Sequence, residues 1–131
     1  MTRALVVDDS RAMRMILSRT LAESGFDVLQ AADGKEALAT MEREGASIGL
    51  VLVDWNMPEL TGLEFVERVR AKPAFNSVRL VMVTTETEIE QMVRALDAGA
   101  NEYLMKPFTR EAVVDKVRQV LPSDAMPMVT L

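Results

Sequence analysis

The chain has no cysteine and no histidine among its 131 residues. Without cysteine there are no disulfides and no thiolate metal sites. Without histidine there is no imidazole ligand, no histidine general base and no phosphohistidine. Any metal must therefore be held by oxygen, which favours magnesium, calcium or manganese. Positive charge is in deficit as well: 15 Lys and Arg face 20 Asp and Glu, a net charge of −5. That balance favours neither nucleic acid nor an anionic membrane surface as a partner. No apolar run approaches the roughly 20 residues that span a bilayer, and Met1-Thr2-Arg3-Ala4 leads straight into a strand-like segment without a secretory pattern. The expectation is a cytoplasmic protein.

What is present is a clean alternation. Apolar runs lie near residues 4–7, 27–31, 49–53, 79–83 and 102–105, with helical patterns near 11–24, 34–44, 62–72, 87–98 and 109–121. Strands alternating with helices imply a parallel sheet covered on both faces. The runs at 50–53 and 80–83 are continuously apolar, as strands buried on both sides are. The ends of the helical segments are marked. Ser10, Asp33 with Glu36, Thr61 with Glu64, and Thr109 are starts; Gly25, Gly45, Pro73 and Gly99 are stops. The spacing has Met13, Ile16, Leu17 and Leu21 recurring along the first helix, and it buries Ile89, Met92, Val93 and Leu96 in the fourth. Length predicts a single domain, with boundaries at 1–121 and a loose tail over 122–131.

Four of the runs end in chemistry. Leu5-Val6-Val7 leads into Asp8-Asp9, Leu50-Val51-Leu52-Val53 into Asp54, Leu80-Val81-Met82-Val83 into Thr84, and Tyr103-Leu104-Met105 into Lys106-Pro107. Open parallel sheets bind ligands at the carboxyl ends of their strands, at a topological switch point. One sheet would therefore gather three carboxylates, a hydroxyl and an ammonium into one crevice. A carboxylate at the end of a buried strand is costly unless it does chemistry or holds a cation, and this set suits a metal-assisted phosphoryl acceptor. Singly, each residue has an ordinary explanation: Asp8 and Asp9 as helix caps, Thr84 as a helix start, Lys106 as a solvated lysine, Pro107 as a first-turn proline, Tyr103 as packing at the core edge. Their coincidence at the required strand ends carries the argument.

In type, order and spacing, Asp8-Asp9, Asp54, Thr84 and Lys106-Pro107 resemble the receiver domain of two-component response regulators over residues 3–121. The run Asp54-Trp55-Asn56-Met57-Pro58, with Tyr103 ahead of Lys106, is most similar to the family's single-domain chemotaxis members. The resemblance implies an α/β, flavodoxin-like, doubly wound sheet of order 2-1-3-4-5 with five helices, an order for which these regulators are themselves a standard example. It implies Asp54 as phosphoacceptor, taking a phosphoryl group from a histidine kinase. It implies magnesium (or manganese) held by Asp9, Asp54 and the Asn56 carbonyl, with Asp8 on a metal-bound water. Lys106 and Thr84 would contact the phosphoryl group, and a cis Lys106–Pro107 bond would aim the ammonium. Thr84 and Tyr103 would act as the switch, reshaping the face of the fourth helix, fifth strand and fifth helix for a downstream protein, with Met105 and Lys116 as surface contacts. The protein would be a monomer or a phosphorylation-dependent dimer, and would catalyse only its own phosphorylation and dephosphorylation. Asn56 and Glu86 stand where the family tunes dephosphorylation, which implies a short-lived phosphoryl state. Ser10 replaces an aromatic residue of the motor-switching members. Glu88 and Ile89 stand where those members are basic, which argues against docking to a flagellar switch through that contact. The alternatives are a phosphate sink or relay member and, more remotely, a magnesium-dependent hydrolase. Asn56 disfavours the hydrolase, because the related phosphatases need a second aspartate there.

Overall fold

The computed structural model describes residues 2–85 and 89–122, with the side chains of Ala46 and Ile89 left aside. The expectations for Glu86, Glu88, the Ile89 side chain and the tail beyond Pro122 lie outside these. The elements run β1 (Arg3–Val7), α1 (Arg11–Glu23), β2 (Asp27–Ala31), α2 (Gly34–Glu44), β3 (Ile48–Asp54), α3 (Gly62–Arg70), β4 (Arg79–Thr85), α4 (Ile89–Ala98), β5 (Glu102–Lys106) and α5 (Arg110–Val120), with short 3-10 turns at Gly45–Ser47 and Pro73–Phe75. The five strands are parallel in the order β2-β1-β3-β4-β5. No described helix is long and apolar enough to cross a membrane.

Strand residues alternate between faces, and the core divides accordingly. Leu5, Val7, Val51, Val53, Leu80 and Met82 pack with α2, α3 and α4; Ala4, Val6, Leu50, Leu52, Val81, Val83 and Leu104 pack with α1 and α5. Ile48 and Leu50 face opposite ways although two residues apart, because the β1–β3 register shifts between Arg3 and Ala4 and leaves Gly49 unmatched. The central strands β1, β3 and β4 are almost wholly enclosed.

The starts signalled in the sequence are real caps. Ser10 accepts from Met13 N, Asp33 from Glu36 N and Thr109 from Ala112 N. Thr61 and Glu64 form a reciprocal box, with both bonds at 3.1 Å. Two expectations need correction. Val93 and Leu96 are 54% and 38% exposed, and Ile16 is 53% exposed, although their spacing suggested inward positions. The inner face of α4 is instead made by Met92 and Ala95, one residue out of phase; small Ala95 lets the helix sit close, and the larger side chains flank the contact. Gly45 is not a left-handed stop, since its φ is −55° and the chain continues into a 3-10 turn. Its small size matters instead, because a Cβ there would meet Phe75 Cε1 at 2.3 Å.

Arg70 ties together segments that no strand connects. It donates to Gly99 O, Phe75 O, Val78 O and Asn101 Oδ1 at 2.7–2.9 Å. Asn101 Oδ1 also accepts from Leu80 N. Arg70→Ala is expected to destabilise the fold by about 1–2 kcal/mol, because half-buried carbonyls lose a charged donor; urea unfolding checks this.

Candidate cation and phosphoryl site

Three of the strand-end residues extend one row of the sheet. Asp8 follows Ala4 and Val6, Asp54 follows Leu50 and Leu52, and Lys106 follows Leu104, each one step past side chains of the α1–α5 core. At the carboxyl edge these steps meet. One carboxylate oxygen each from Asp8, Asp9 and Asp54 lies within 4.8 Å of the other two. Lys106 Nζ is 3.2 Å from Asp54 Oδ1 and 4.0 Å from Asp8 Oδ2. Asp8 and Asp54 are 1% and 6% exposed, while Asp9 faces solvent.

Burial raises the Asp54 carboxyl above the ordinary carboxylate range, with the Asp8 charge adding to it and Lys106 opposing. Burial raises Asp8 as well, against the Ser10 amide and Lys106. Asp8 Oδ1 accepts from Ser10 N at 2.8 Å. Its Oδ2 is buried with no hydrogen-bond partner. A buried carboxylate oxygen without a hydrogen bond, beside two other carboxylates, fits a divalent cation and its waters, and the all-oxygen donor set fits magnesium.

The remaining expected residues fall around this centre. Thr84 is buried one residue past Val83, the register partner of Asp54. It lies opposite Met105, and Tyr103 lies opposite Met82, so Thr84 and Tyr103 share a sheet face two residues apart. Asn56 is exposed, two residues after Asp54. The Lys106–Pro107 bond is cis.

Two supporting residues were missed in the sequence. Arg14 donates to Asp8 O at 2.7 Å and to Gln30 Oε1 at 3.3 Å, fastening the β1–α1 loop to β2. No local pattern marks this, because the partner carbonyl is six residues back and the other contact is on a different strand. Gly62 opens α3 and gives its amide to Trp55 O at 3.0 Å. A Cβ there would come within 2.6 Å of Asp54 O and of Met82 Cε. The capping box at Thr61 located the helix start, but not this approach to the Asp54 backbone.

Fold and crevice together define the class: a flavodoxin-like domain with a cluster of three aspartates at its switch point. The chain belongs to the response regulator receiver domain family, whose model matches residues 4–118. It is 42% identical over 120 residues to chemotaxis protein CheY1 of Helicobacter pylori strain J99, covering 91% of this chain and 96% of that protein. A CheY homolog of Campylobacter jejuni is also 42% identical over 120 residues, covering 91% and 92%. Among solved structures, the chemotaxis response regulator CheY4 of Vibrio cholerae superposes with a TM-score of 0.85 at 39% identity, covering 92% of this chain and 99% of that one.

Proposed function

We propose that the protein is a phosphorylation-activated switch of a two-component chemotaxis pathway, working in the cytoplasm with residues 1–121 as the receiver unit. The observation that carries this reading is the meeting of Asp8, Asp9 and Asp54 within 4.8 Å, with Lys106 Nζ 3.2 Å from the Asp54 carboxylate. In the forward step an Asp54 oxygen attacks the phosphorus of a kinase phosphohistidine. The P–O bond forms, the P–N bond breaks, and the imidazole leaves with a proton. In the second step water attacks the phosphorus of the aspartyl phosphate, breaking its bond to the Asp54 oxygen, releasing inorganic phosphate and restoring the carboxylate. Asp9, Asp54 and the Asn56 carbonyl would hold magnesium, with Asp8 on a metal-bound water, and the cation would supply the positive charge that lets an anionic donor approach three acids.

The chain's own groups do the rest. Lys106 is placed to pair with a phosphoryl oxygen, and Thr84 to hydrogen-bond another. Its inward pull vacates space toward which Tyr103 turns. The resulting bias on the α4–β5–α5 face is a shift between two populated states. Val93 and Leu96, exposed on α4, give that face apolar contact area. A phosphorylation-dependent partner, or a second copy, would bind there. Asn56 and Glu86 would set a short phosphoryl lifetime.

Incubation with acetyl phosphate and magnesium, followed by intact mass measurement, tests the core of this. One phosphoryl group should be gained, and lost again on standing. It should be absent in Asp54→Asn and in EDTA. Turnover of phosphomonoesters over many cycles per chain would favour the hydrolase instead. Rapid transfer back to the kinase without a phosphorylation-dependent partner would favour a sink or relay.

A further inference from the structure

Tyr103 is the only tyrosine of the chain, and more than the sheet holds its ring. Among the described residues β5 is an edge strand, with no neighbour beyond it in the sheet order. Tyr103 packs against the core beneath α3 and α4. Glu102, one residue away, lies on the opposite face with Leu104, under α5. Lys116 belongs to α5 and starts from that second face. Its side chain passes round the open edge of β5, so that Nζ stands 4.9 Å from the centroid of the Tyr103 ring. The same ammonium is 3.5 Å from Glu102 Oε1, and that oxygen accepts from Tyr103 N at 3.0 Å. Backbone amide, carboxylate, ammonium and ring thus form a clasp over the sheet edge. Only about a quarter of each charged side chain is exposed, 28% for Lys116 and 24% for Glu102. The geometry is that of a cation resting on an aromatic face.

Inward movement of the ring, toward Thr84 on the same sheet face, would break this contact. We propose that Lys116 is a positioning residue for the Tyr103 switch: anchored by Glu102, its ammonium holds the ring at the open edge and opposes inward rotation. The charge at position 116 then sets how much of the protein occupies the active arrangement before any phosphoryl group arrives. This rests on the reading of Tyr103 as the moving ring.

A single tyrosine makes the test direct. Protein labelled with 13C in the tyrosine ring gives one set of ring resonances, recorded with and without acetyl phosphate and magnesium. Lys116→Gln keeps a polar side chain but removes the cation, and Lys116→Arg keeps the cation. In the unphosphorylated protein, Lys116→Gln should move the inward-to-outward ratio roughly two- to fivefold toward inward, the size of a partly exposed cation–ring contact. Lys116→Arg should stay close to the parent. Ring resonances in Lys116→Gln that match the parent overturn the proposal. So do equal shifts in Gln and Arg, which would assign the effect to the packing of the side chain's stem. If acetyl phosphate modifies Asp54 by mass yet leaves the parent ring unmoved, the switch reading of Tyr103 fails, and the role of Lys116 fails with it. If the ring does respond to phosphorylation but not to Lys116→Gln, only the clasp fails.

Discussion

Asp54→Asn is expected to make the cation-free protein more stable at neutral pH, by on the order of 1–3 kcal/mol, the scale of an uncompensated buried polar or charged group. Asp54 is 6% exposed and shares its crevice with the almost fully buried Asp8. Among the described residues a single ammonium, Lys106, lies within 4.0 Å of both. Burial raises both carboxyls above their ordinary range, with the Asp8 charge adding to Asp54 and the Asp9 charge adding to Asp8. A carboxyl raised on folding binds its proton more tightly in the folded state than in the unfolded one. Its contribution is therefore fully present below the unfolded value, near 4, and is lost as pH rises through the higher folded value. Asparagine has the same shape and an oxygen that can still accept from Lys106, but nothing to ionise. The stability difference between Asp54→Asn and the parent should accordingly be small below about pH 4 and grow as pH rises. Urea unfolding in EDTA across that range measures it.

Magnesium should reverse the sign. A cation that binds only the folded state adds RT ln(1 + [L]/Kd), about 4.1 kcal/mol at a thousand times Kd, which exceeds the whole advantage of the variant in EDTA. The parent gains this and Asp54→Asn loses most of it, so the variant becomes the less stable protein. A parent chain whose unfolding midpoint is indifferent to excess magnesium would remove the cation site from the proposed function. Asp8 Oδ2, buried without a hydrogen-bond partner, would then need another explanation.

The parts of this site that were legible in the sequence are those written locally. Strand ends, helix caps and the order of polar residues after apolar runs depend on neighbours along the chain. The parallel sheet converts that order into proximity, so Asp8, Asp54 and Lys106 meet although Asp8 and Lys106 come from opposite ends of the domain. Illegible were the contacts made by long side chains across elements. Arg14 reaches the Asp8 carbonyl, Arg70 collects carbonyls from three segments, and Lys116 rounds the edge of β5. Each depends on where a second element settles, and a lysine or arginine looks the same in sequence whether solvated or engaged. The phase of α4 was misread for a related reason. Apolar spacing gave Val93 and Leu96 the same weight as Met92, while the residue that allows close approach is Ala95, one of the smallest side chains.

Lys106→Met should have the opposite profile to Asp54→Asn. Methionine keeps much of the length and apolar stem of the side chain and removes the ammonium that lies 3.2 Å from Asp54 Oδ1. Two buried carboxylates are then left beside exposed Asp9 without the ammonium that faced them. Taking one partner from a fully buried ion pair costs about 3–5 kcal/mol; with the Lys106 side chain 25% exposed, about 2–3 kcal/mol is expected in EDTA. The same change should tighten magnesium binding by on the order of tenfold, because the ammonium occupies an oxygen the cation needs and repels it at close range. Trp55 reports this without a label. It is the only tryptophan, adjacent to Asp54 and 7% exposed, so its fluorescence should follow a magnesium titration. Phosphoryl transfer should suffer in the same variant, since tighter cation binding does not replace the positive charge needed on the phosphoryl oxygens. Tighter binding with slower phosphorylation is a combination that general damage to the crevice would not produce. Weaker magnesium binding in Lys106→Met would mean that the lysine organises the acidic residues rather than competing with the cation for them.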